Sequence, residues 1–67
     1  MNHTEAARVF IVTDGEMFRC FGGAWTYNPR NAESWPDFES AESVAKLARQ
    51  QLEDDNVSVT TLAKVLR

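Results

Sequence analysis

The sequence predicts an α+β domain: a three-stranded antiparallel meander, one helix packed on one face of it, and a C-terminal strand, in the order β-β-β-α-β. Three observations carry this. Asp14-Gly15 and Gly22-Gly23 punctuate a run of apolar and aromatic residues from Val9 to Tyr27, and such pairs suit tight hairpin loops because those turns need positive φ. Ala41, Val44, Ala45, Ala48 and Leu52 then recur at helical spacing. Val57, Val59, Thr60 and Thr61 form a β-branched cluster after the helix.

The first strand is read as Arg8 to Thr13, the second as Glu16 to Phe21 and the third as Ala24 to Asn28, where Pro29 stops it. Two-residue loops would set the register. Thr13 would face Glu16, Ile11 would face Phe18, and Val9 would face Cys20. In the second hairpin Phe21 would face Ala24, Cys20 would face Trp25, and Phe18 would face Tyr27. One face then carries Val9, Ile11, Phe18, Cys20, Trp25 and Tyr27, and the helix is expected to cover it. The other carries Arg8, Phe10, Val12, Met17, Arg19, Phe21 and Thr26, apolar in the middle and charged at the edges.

Pro29 to Phe38 reads as irregular, since Trp35-Pro36 disfavours helix at Trp35. Its Trp35 and Phe38 are apolar enough to fold back on the sheet. The helix is expected from Ala41 to Asp54, with Ser40 as N-cap and Glu42 in the first turn. Its alanine-rich stripe would let it lie close on a bulky sheet, with Leu47 at the margin. Glu53-Asp54-Asp55-Asn56 ends it, placing three acids where the dipole favours cations. Val57 to Arg67 carries both a strand signal and, at Leu62, Val65 and Leu66, a helical one. A strand from Val57 to about Leu66, pairing with the free edge of the first strand, is the expectation.

Sixty-seven residues make a single domain, with Met1 to Ala7 polar and expected to fray. So short a chain buries roughly 60% of its unfolded surface and is marginally stable. Ten acids against seven bases give a formal charge of −3, which argues against direct, sequence-independent nucleic-acid binding. No apolar run has the length of a membrane span, and the opening residues lack a secretory pattern. The single Cys20 excludes an intrachain disulfide. A cytoplasmic protein is expected.

The chain offers no recognisable catalytic set. His3 is the only histidine and lies in the polar N-terminal stretch. Cys20 has no histidine placed to activate it. Asp14-Gly15-Glu16 supplies too few oxygens for a calcium loop, and Gly22-Gly23 lacks the lysine of a phosphate loop. Glu33, Asp37, Glu39 and Glu42 cluster in sequence, but nothing assigns any two of them as acid and base. No cofactor or metal is expected, and the chain reads as a binder.

Two surfaces are candidates for a protein partner. One is the sheet face left uncovered, with Phe10, Val12, Met17 and Phe21 beside Arg19. The other is acidic, with Glu53, Asp54 and Asp55, and could imitate DNA phosphates before a basic groove.

The layout — a short meander with DG and GG turns, an FES-AES helix entry, a final strand — resembles small phage-encoded accessory proteins. In particular MNHTEAARVFIVTDGEMFRCFGGAWTYNP is similar to the anti-CRISPR proteins that inhibit type I systems, type I-C among them. The resemblance rests on the general character of the whole chain. It implies a non-enzymatic inhibitor that binds the Cascade surveillance complex in the host bacterial cytoplasm and blocks target DNA recognition or nuclease recruitment. The alternative is a small structural or regulatory protein that homodimerises through the uncovered sheet face; the charge and length fit a monomer or a homodimer.

Overall fold

Four short strands, β1 (Phe10–Thr13), β2 (Phe18–Arg19), β3 (Trp25–Thr26) and β4 (Ser58–Thr61), form one antiparallel sheet in the order β3-β2-β1-β4. A long helix α1 (Phe38–Leu52) precedes β4, and a single helical turn α2 (Leu62–Val65) follows it. This architecture comes from a computed structural model that describes residues 8–66. The Met1–Ala7 segment, with His3, and Arg67 lie outside the described residues. The fold class is the one the sequence predicts: a meander, a helix, and a last strand on the free edge of β1.

The first hairpin departs from the two-residue loop. Thr13 pairs with Phe18, not with Glu16. Side chains compete for the backbone here and widen the turn. Asp14 Oδ1 accepts from the N–H of Glu16 at 2.9 Å and of Met17 at 2.7 Å. Thr13 Oγ1 accepts from Gly15 N–H and donates to the Met17 carbonyl. The register moves by two residues, so Ile11 and Phe18 still share a face.

In the second hairpin, Phe21–Gly23 forms a 3-10 turn, closed by Cys20 N–H donating to the Ala24 carbonyl at 2.9 Å. Gly22 and Gly23 both have positive φ, 75° and 80°. The loop has three residues, and Arg19 rather than Cys20 faces Trp25. A shift of one residue moves every side chain of β3 to the other face. Trp25 therefore joins Val12.

That correction goes with a second. Helix α1 covers the face of Phe10 and Val12, which the sequence reading left open. Val12 packs with Ala45, Ala48 and Val57, flanked by Trp25, Trp35, Val44 and Val59. The alanines make it possible: Ala41, Ala45 and Ala48 are buried, so the helix backbone can approach the sheet closely. The opposite face is covered from another direction. Ile11 and Leu62 form its centre, with Val9, Phe18, Ala32, Ala63, Val65 and Leu66 packed around them.

The connections explain the remaining boundaries. Asp37, not Ser40, caps α1: its carboxylate accepts from Ser40 N–H at 2.8 Å and from the Ser40 hydroxyl at 3.0 Å. The helix so starts at Phe38 and ends at Leu52, rather than spanning Ala41 to Asp54. Glu53 closes it in the left-handed region, φ 52°, with its N–H on the Arg49 carbonyl. The segment after Pro29 does fold back. Trp35 exchanges both backbone hydrogen bonds with Phe10, at 2.8 and 2.9 Å, and Glu33 N–H reaches the Arg19 carbonyl at 3.0 Å. Past Arg19 this segment takes the place of β2 beside β1. The expected long strand from Val57 to Leu66 divides in two, since the β-branched half forms β4 and the Leu62-Val65 half turns into α2.

Candidate functional site

The apolar patch expected on the sheet does not assemble. Val12 is wholly buried beneath α1. Phe10 is half-buried, with its ring edge-to-face on Phe38, centroids 5.9 Å apart, and its backbone tied to Trp35. Met17 is half-buried in the first turn, where its backbone is taken by Asp14 and Thr13. Val12 and Phe10 are structural because α1 lies on their face, and Met17 is engaged through its backbone in the first turn.

Phe21 and Arg19 remain together. Phe21 stands on the 3-10 turn with 75% of its surface exposed. The Arg19 side chain reaches the same turn: its Nη2 lies 3.4 Å from where a Cβ on Gly23 would stand. Across β3 from this turn is Tyr27, 73% exposed. The sequence reading placed Tyr27 in the core. It lies just past the end of β3, with most of its surface open. An aromatic pair thus brackets edge strand β3, and the signal that would have found it is the length of the Gly22-Gly23 loop.

The acidic candidates separate into roles. Glu53 and Asp55 are exposed. Asp54 is half-buried and structural: its Oδ1 accepts from Asn56 N–H at 2.9 Å, and its own N–H donates to the Arg49 carbonyl at 3.2 Å. Nearby on α1, Arg49 forms an ion pair with Glu42. Asp14, in the first turn, has a displaced titration. The Met17 N–H, then the Glu16 N–H, hold its carboxyl below the ordinary value of 3.8.

Cys20 is a free, half-buried thiol. Among the described residues, no group of three or more His, Cys, Asp or Glu side chains could hold a metal ion. No described helix is long and apolar enough to cross a membrane. Comparison of the chain with protein-family models, with curated proteins and with solved structures found no match.

Proposed function

We propose that this chain is a non-enzymatic, protein-binding inhibitor that docks through the β3 end of the sheet. The observation that carries the reading is Phe21, three-quarters exposed on a turn fixed by two positive-φ glycines. A large aromatic exposed to water, with an arginine at the same turn and Tyr27 across the strand, has the composition of a binding hot spot.

The target follows from the resemblance to type I anti-CRISPR proteins: the Cascade surveillance complex, with target DNA recognition or nuclease recruitment blocked by occupancy. Pull-down with purified Cascade, followed by a DNA-binding and cleavage assay, tests it. Retention of the chain and loss of target binding or cleavage is the expected result, weakened by Phe21→Ala with Tyr27→Ala. Unchanged binding and cleavage at excess protein overturns the Cascade reading. The acidic alternative is separated by Glu53→Lys with Asp55→Lys, which leaves the structural Asp54 in place. Inhibition that survives this change rules out DNA mimicry at that corner.

A further inference from the structure

The two edges of the sheet are not alike. β3 is only two residues long. β4 has four, Ser58-Val59-Thr60-Thr61, in unbroken register with β1 and without a charge, a proline or a bulge. Soluble proteins normally guard an edge with one of those devices, because unpaired backbone groups template association.

The ladder determines which groups β4 presents. Leu62 N–H donates to the Val9 carbonyl at 3.1 Å. Bonded pairs alternate along an antiparallel ladder, so Ile11–Thr60 and Thr13–Ser58 are the bonded pairs that follow. Phe10 agrees, since its backbone groups turn the opposite way, to Trp35. Val59 and Thr61 therefore direct their N–H and C=O away from β1. Among the described residues no other strand takes them. The Thr61 carbonyl also accepts the first bond of α2, as the residue capping that turn, and keeps a second lone pair.

This arrangement is complementary to itself. A two-fold axis at Thr60 sets Val59 of one copy opposite Thr61 of the other, twice, in bonded pairs. It places the two Thr60 side chains opposite each other in a non-bonded pair, a threonine contact that favours strand pairing. We infer that β4 is a homodimerisation edge, joining two copies antiparallel about Thr60 into a continuous eight-stranded sheet. This inference is independent of the inhibitor reading, because β3 and its aromatics lie on the far edge.

Sedimentation or light scattering over a concentration series tests it. The expected result is a weak, reversible dimer. Thr61→Pro removes the outward N–H; Thr61 already has φ −83°, near the proline value, so the fold should survive. The variant is expected to raise the dissociation constant by about tenfold or more, with an unchanged melting curve at concentrations where the parent is monomeric. A second measurement reads the register directly. In a Cys20→Ser background, Thr60→Cys is expected to form an interchain disulfide readily and Ser58→Cys far more slowly, since only position 60 lies on the axis. A monomer at every concentration overturns the proposal. So does equal cross-linking of the two cysteine variants, or a folded Thr61→Pro protein that dimerises as the parent does.

Discussion

The two hairpins begin from the same kind of signal and end differently. Asp14-Gly15 and Gly22-Gly23 each suggest a two-residue loop, and neither makes one. At the first, Thr13 and Asp14 side chains capture backbone N–H groups and lengthen the loop by two residues. At the second, a 3-10 turn lengthens it by one. An even change preserves which side chains share a face; an odd change inverts them. Ile11 and Phe18 therefore stay together, while Trp25 crosses to Val12. A one-residue difference in one loop redistributes the aromatic residues of the sheet.

Core truncation gives the largest test. Ile11→Ala is expected to cost about 2–5 kcal/mol, measured by urea unfolding, and to leave a domain this small largely unfolded. Trp25→Ala, at a half-buried ring, should cost about 2–3 kcal/mol. A double-mutant cycle then separates the two registers. Trp25→Ala should couple with Val12→Ala by at least about 0.5 kcal/mol and add independently with Phe18→Ala. Coupling to Phe18 instead would restore the two-residue loop.

Smaller effects probe the turns themselves. Gly22→Ala should cost about 1–2 kcal/mol: the added Cβ meets open space, but φ 75° strains an L-residue. In the first turn, Asp14→Ala should cost about 1 kcal/mol through the lost hydrogen bonds. The Asp14 carboxyl titrates lower in the folded than in the unfolded chain. Its contribution is therefore complete above the ordinary carboxylate range and disappears as pH falls below about 4. Asp14→Asn should flatten that part of the stability–pH curve, and an unchanged slope would remove Asp14 from the account. Phe21→Ala is the smallest, within about 0.5 kcal/mol on stability. Its effect should appear in partner binding alone.

Legibility in the sequence followed the range of the interaction. The alanine stripe of α1 and the return of Trp35 to the sheet are visible because they depend on spacing and on apolar side chains that must leave water. The Asp37 cap was open to reading as well, since Asp37 stands three residues before Ser40, but Ser40 offered an equally good hydroxyl. The candidate surface was less legible. Phe10, Val12 and Met17 looked like a patch with Phe21 only while α1 was assigned to the other face.

The sequence by its own patterning determines the three meander strands, α1 and β4, their order, and the pairing of β4 with β1, but not the turn of Leu62–Val65 into α2. Those follow from local propensity and from apolar periodicity, which every residue carries with it. Tertiary structure decided which face α1 covers and which aromatics stay in water. That choice turns on single-residue loop lengths, set by a few hydrogen bonds at Asp14 and a closed turn at Gly22-Gly23. Because a strand repeats every two residues, so small a local choice decides which half of its side chains enters the core.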